Sequence, residues 1–144
     1  QNGFLILDEI YQGLVHEEAP YSSGLAVRDD LFVLNSFSKF FGMTGWRLGW
    51  VVIPESAVER FTKLAQNLVI SPSSVAQNAA LEAFSEASMY VHRQRAAEFS
   101  LRSRRLAAGL LDLGFTIPVM PAGAFYLYVD VSHTGMRSDE FCWR

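Results

Sequence analysis

Three short, continuous apolar runs within the first 53 residues constrain this chain more than any other feature. They read F-L-I-L at 4–7, L-F-V-L-N at 31–35 and R-L-G-W-V-V-I at 47–53. Runs of this length without alternation suit strands buried on both faces, as in a parallel sheet. The stretch between the first two holds Gly13, Pro20, Ser22, Ser23 and Gly24. It is too long for a tight hairpin and reads as a loop with a turn of helix. The second and third runs lie close enough for antiparallel pairing.

From Glu55 the period changes. Val58, Phe61, Leu64 and Leu68 recur at helical spacing, with Glu59, Arg60 and Lys63 on the other face. Ser71-Pro72 reads as a stop and restart, the serine capping and the proline suited to a first helical turn. Helix is then expected over 73–113, with a break near 85–88 and Gly114 as the terminating residue. Leu101, Leu106, Leu110 and Leu113 line its second half. After a short extended stretch at 115–121, G-A-F-Y-L-Y-V-D-V at 123–131 reads as a strand. Alternation puts Phe125, Leu127 and Val129 on one face and Tyr126 and Tyr128 on the other. Ser138 opens a further helix. The expected class is α/β, with a mainly parallel sheet, long helices and a second domain beginning near 116.

Composition narrows the function classes. With 50% apolar and 19% charged residues, the chain is globular rather than disordered. A net charge of -3 without blocks of like charge argues against a nucleic-acid partner. The arginines at 93, 95, 102, 104 and 105 sit in a helical pattern beside Glu86 and Glu98, which reads as a solvated helix face. One cysteine, Cys142, excludes an internal disulfide and fits a reducing, cytoplasmic setting. No run approaches a membrane span, and no signal-peptide order is visible. The chain begins Q-N-G-F-L-I-L-D and stops at F-C-W-R, and both ends read as cut from something longer.

The chemistry concentrates in S-F-S-K-F-F-G-M-T-G-W-R-L-G at 36–49. Lys39 lies among Phe37, Phe40 and Phe41, and a desolvated lysine amine is a candidate nucleophile. The glycines match neither a dinucleotide fingerprint nor a P-loop. His16-Glu17-Glu18 lacks a second histidine at zinc spacing and defaults to a surface loop. No G-x-S-x-G elbow is present. Asp8 and Tyr11 leave the first expected strand, Ser36, Ser38 and Lys39 leave the second, and Arg47 enters the third. Strand ends are where α/β sheets place their sites. Singly, each residue has a bland reading: Asp8 as a turn cap, Tyr11 as a core aromatic, Arg47 as an ion-pair partner.

Together, D-E-I-Y at 8–11 and the lysine segment resemble the pyridoxal-phosphate site of class I/II aminotransferases, the fold-type I family. Ser36, Lys39, Gly42, Gly45, Arg47 and Gly49 match that family's signature, and Lys39 follows Asp8 by 31 positions (39 − 8). The similarity extends to S-P-S-S-V-A-Q at 71–77 and P-A-G-A-F-Y-L-Y-V at 121–129. It implies that 1–115 is the later part of the pyridoxal-phosphate-binding large domain, interdomain helix included, and that 116–144 begins the small domain. It also implies roles. Lys39 would form a Schiff base with the cofactor's aldehyde and then move the substrate's α-proton. Asp8 would keep the pyridine nitrogen protonated. Tyr11 would hydrogen-bond the phenolic oxygen. Arg47 and Ser36 would hold the phosphate, with Ser38 a lesser contributor or simply small enough to leave room. Gly42 and Gly45 would let the backbone turn close to the phosphate.

The resemblance further implies amino-acid and 2-oxo-acid substrates of the aspartate, alanine or aromatic type, and a homodimer. It places the ring-stacking aromatic, an asparagine and the arginine for the substrate carboxylate outside these residues. Related readings are a carbon–sulfur β-lyase, a cyclopropane-carboxylate-forming synthase and the aminotransferase-like effector domain of a transcriptional regulator. A cofactor-free structural domain would not readily accept Lys39, Arg47 and Asp8 at strand ends.

Overall fold

The computed structural model describes residues 3–16 and 21–144. Glu17, Glu18 and Pro20 lie outside the described residues. The chain falls into two compact units, one of residues 1–13 and 20–94, the other of 14–19 and 95–144.

The first unit carries a three-stranded sheet of order β1-β2-β3. Strand β1 (Ile6–Asp8) pairs parallel with β2 (Phe32–Ser36), and β2 pairs antiparallel with β3 (Gly49–Val52). The long β1–β2 connection explains the parallel pairing, since two parallel strands need a crossover, and the short β2–β3 turn explains the antiparallel one. Val33 and Leu31 are buried, but Phe4 and Ile6 are 77% and 55% exposed. The expectation of strands buried on both faces is therefore corrected for the first run and for the third, since all four residues of β3 are exposed as well. Side chains on a sheet face are covered only by elements packed on that face, and apolar composition states a preference for cover without supplying it. Rings of Phe4 and Phe61 both pack on Phe32, at 5.7 and 5.5 Å.

Helix α1 (Val58–Leu68) follows a 3-10 turn at Glu55–Ala57. Helix α2 (Ser74–Glu82) and the 27-residue α3 (Glu86–Asp112) are separated at 83–85, close to the expected break. The restart differs in detail. Ser73, not Ser71, caps α2 by accepting from the Ala76 N–H, and Pro72 stays outside the helix. The core of this unit is Phe37, Met43, Ala80 and Ala83, with Phe41, Leu48 and Ala79 packed against it. Small alanines on α2 let the turn after β2 approach the helix closely.

In the second unit, Ser100 and Ala107 are the buried positions of α3, and its five arginines are exposed as expected of a solvated face. Arg102 pairs with Glu98 one turn earlier, at 2.7 Å. The helix ends as its glycine predicts. Gly114 N–H donates to the Leu111 carbonyl and Phe115 N–H to the Leu110 carbonyl, the reciprocal pair of a Schellman cap.

The segment at 123–131 is corrected. It makes isolated bridges, Val15 with Gly123 and Thr116 with Asp130, and no continuous ladder. A strand needs a partner along its length, and here partners meet it only near its ends. Leu127 and Val129 are nevertheless half-buried while Tyr126 and Tyr128 are exposed, so the expected alternation holds there. Phe125 packs on Phe99 of α3 at 5.6 Å. His16 is buried, not on a surface loop, and its N–H donates to the Ala122 carbonyl at 2.8 Å. A last short helix, α4 (Ser138–Trp143), packs Phe141 on Phe115.

Candidate active site

Sheet register brings the expected site residues to one edge. Asp8 is the last residue of β1 and lies opposite Leu34, two residues before Ser36 ends β2. Ser36 in turn lies opposite Gly49, two residues after Arg47. Because β3 runs against the other two strands, its start meets their ends. Asp8, Ser36, Lys39 and Arg47 thus gather at the carboxyl end of the parallel pair, the edge at which open α/β sheets bind ligands.

Two turns carry these residues. In the first, Asp8 Oδ1 accepts from the Ile10 N–H at 3.2 Å, and Tyr11 follows within the same turn. In the second, Lys39 is half-buried and its Nζ lies 5.4 Å from the centre of the Tyr11 ring, within range of a cation–π contact. The turns also meet through Gly13 and Phe40. A Cβ on Gly13 would lie 2.7 Å from the Phe40 ring, and Gly13 has a φ of +90. Only a residue without a side chain lets Phe40 rest there.

The phenylalanines around Lys39 pack into the body of the first unit. They anchor its turn. Phe37 packs on Phe41 at 4.9 Å, Trp50 at 5.2 Å and Phe84 at 5.7 Å. Phe40 and Phe41 both lie against buried His92 of α3, at 5.6 and 5.5 Å. The backbone closes the turn as well: Gly42 N–H donates to the Lys39 carbonyl and Met43 N–H to the Phe37 carbonyl.

At the start of this turn, Ser36 Oγ accepts from the Ser38 N–H at 2.9 Å and lies 2.9 Å from Ser38 Oγ. The Leu48 carbonyl is 3.2 Å from the same hydroxyl. Arg47 is exposed, and Nη1 donates to the Thr44 carbonyl at 2.9 Å. Its φ of +55 is left-handed, uncommon for a residue with a side chain and invisible in the sequence. Gly42 has the positive φ expected of a tight turn, whereas a Cβ on Gly45 would meet nothing within 4 Å. Glu9 is the residue sequence reasoning passed over. Its carboxylate bonds to Gln12, Ser23 and Gly24.

The arrangement offers an amine beside a phenol, a carboxylate, a hydroxyl pair and a guanidinium on one sheet edge. That is a donor set for an anionic aromatic ligand. Known proteins resemble the chain as a whole. The chain is 37% identical over 139 residues to the valine–pyruvate aminotransferase of Mycobacterium tuberculosis, covering 96% of this chain and 36% of that protein. It is 34% identical over 142 residues to an aspartate aminotransferase of Pyrococcus horikoshii, covering 97% and 36% respectively. The crystal structure of an aminotransferase from M. tuberculosis superimposes with a TM-score of 0.90 at 37% identity, over 96% of this chain and 36% of that one. The chain therefore spans little more than a third of the length of these relatives. The family model described as aminotransferase class I and II matches residues 1–143, and the chain belongs to that family.

Proposed function

We propose that this chain supplies the pyridoxal-phosphate-holding part of an aminotransferase. The enzyme would move an amino group between an L-amino acid of the aspartate, alanine or aromatic type and a 2-oxo acid. The observation that carries this reading is the shared sheet edge of Asp8, Ser36, Lys39 and Arg47, with the Lys39 amine over the Tyr11 ring. The family depends on pyridoxal phosphate in general, and the donor set fits that group. When bound, it supplies an aldehyde and an electron-withdrawing ring.

Each residue then has a defined task. Lys39 Nζ would be the amine that holds the aldehyde and would move the substrate's α-proton. The Asp8 carboxylate holds a proton on the ring nitrogen. The Tyr11 hydroxyl donates to the ring's phenolic oxygen. Arg47 brings a planar fork to the phosphate, and the Ser36 and Ser38 hydroxyls add donors. Neither Arg137 nor Arg144 sits in a motif for the substrate carboxylate, and no residue here is assigned that task. The intact enzyme is a cytoplasmic homodimer in this reading; among the described residues no helix is long and apolar enough to cross a membrane.

The full-length protein tests it. Visible absorption should show a bound cofactor that borohydride fixes onto Lys39. Absence of cofactor, or attachment elsewhere, overturns the reading. The 144-residue chain alone is expected to show no transamination.

A further inference from the structure

We infer that Glu9 is a positioning residue, which sets Asp8 and Tyr11 at the sheet edge through a carboxylate clamp; the inference rests on the cofactor site proposed above. Glu9 sits between the two residues it would orient, and its hydrogen bonds reach three parts of the first unit. Its N–H donates to the Leu34 carbonyl at 2.9 Å, extending the β1–β2 ladder one residue beyond Asp8. Its carbonyl accepts from the Gln12 N–H at 3.0 Å, closing the turn that contains Tyr11. Oε2 accepts from Gln12 Nε2 at 2.6 Å, across the same turn. Oε1 accepts from the Gly24 N–H at 2.7 Å and the Ser23 hydroxyl at 3.1 Å, fifteen and fourteen residues away in the chain.

Packing supports the clamp independently. A Cβ on Gly24 would lie 2.2 Å from Leu7 Cδ1 and 3.1 Å from Leu31 Cδ1, so residue 24 rests directly on the sheet. That close approach brings its N–H to the carboxylate. Ser23 is held in place too, since its Oγ accepts from the Leu25 N–H at 3.2 Å at the start of the 3-10 turn Gly24–Ala26. The three groups that bond the carboxylate are all donors, as a charged acceptor with two oxygens requires. Asp8 itself bonds the neighbouring Ile10 N–H, within the turn that Glu9 closes.

The three partners predict a graded response. Glu9→Ala removes all of them. Glu9→Gln keeps one carbonyl oxygen for Gly24 and Ser23, and the Gln12 amide, by turning over, can accept from the new amide nitrogen. Ser23→Ala removes one donor and leaves the charge.

The test is made on the full-length protein, titrating pyridoxal phosphate into the apoenzyme and following visible absorbance, with thermal unfolding measured alongside. Charge-assisted bonds of this kind predict that Glu9→Ala weakens cofactor binding about tenfold. The pH midpoint of the absorption band should also move, because Tyr11 no longer faces the lysine correctly. Glu9→Gln should recover most of both, and Ser23→Ala should move both in the same direction by less. Wild-type affinity and midpoint in Glu9→Ala would overturn the inference while leaving the cofactor site standing. A wild-type protein that binds no cofactor would overturn both. Should Glu9→Ala fail to fold, Ser23→Ala decides: unchanged affinity and midpoint refute the clamp.

Discussion

The two turns at the sheet edge are held by opposite means. The turn after β1 carries Asp8 and Tyr11 and is braced by one carboxylate with polar partners. The turn after β2 carries Lys39 and is braced by rings: Phe37 and Met43 are buried, and Phe41 packs between Phe37 and Phe84. The contrast follows from the cargo. A carboxylate is short, and fixing its backbone nearly fixes its oxygens. A lysine has four rotatable bonds, so its backbone must be rigid and its amine must find a partner, here the face of Tyr11. The aromatic crowd around Lys39 is therefore a foundation for its turn.

This contrast can be tested by separating the cargo from its support. Lys39→Ala should lower transamination in the full-length protein by about a thousandfold or more and abolish borohydride fixation. Its unfolding midpoint should stay close to wild type, because the surrounding rings hold the turn without it. A large loss of stability would show that the lysine is itself part of the core.

Phe37→Ala attacks the support instead. Truncating a buried phenylalanine costs about 3–5 kcal/mol, read from denaturant unfolding. Little change would mean that the ring cluster is dispensable and that the hydrogen bonds alone hold the turn. Gly13→Ala acts where the two turns meet. Its methyl would press on the Phe40 ring from a left-handed backbone position. A cost of about 2 kcal/mol is expected. Cofactor absorbance should change with it, because moving Phe40 shifts the adjacent Lys39 relative to Tyr11. An effect on stability without one on absorbance would show that the turns are coupled mechanically but not at the amine.

What the sequence showed of the fold has a physical basis, and so do the failures. Asp8, Ser36 and Arg47 could be placed at one end of the sheet because they end or begin apolar runs, while their proposed roles come from the family resemblance. Helix boundaries near 83–85 and at Gly114 were legible because breaks and caps are local. Glu9 was not legible: two of its partners, Ser23 and Gly24, are distant in sequence, and one is a backbone N–H, which leaves no mark in side-chain pattern. The left-handed backbone of Arg47 was hidden because arginine has no preference for it. Residues 123–131 were read as a continuous strand because propensity cannot report whether a partner runs alongside. Exposure of Phe4 and Ile6 escaped for the same reason.

The smallest expected effect separates the two serines. Ser38 was assigned either as a hydroxyl donor or as a residue small enough to leave room, and the geometry makes the two serines unequal. Ser36 Oγ accepts the Ser38 N–H and also faces the Leu48 carbonyl, so it ties the lysine turn to the approach of β3. Ser38 contributes its backbone N–H to that tie, and a substitution cannot remove it. Ser36→Ala should therefore cost about 1 kcal/mol of stability, the ordinary net worth of such hydrogen bonds, with a measurable loss of cofactor affinity. Ser38→Ala should leave stability within experimental error and weaken cofactor binding only if its hydroxyl is a phosphate donor. Measuring both affinities by absorbance titration settles the role of Ser38. An unchanged value makes it a spacer, and a loss matching that of Ser36 makes the pair a joint phosphate contact, with the lysine turn then braced by polar as well as aromatic groups.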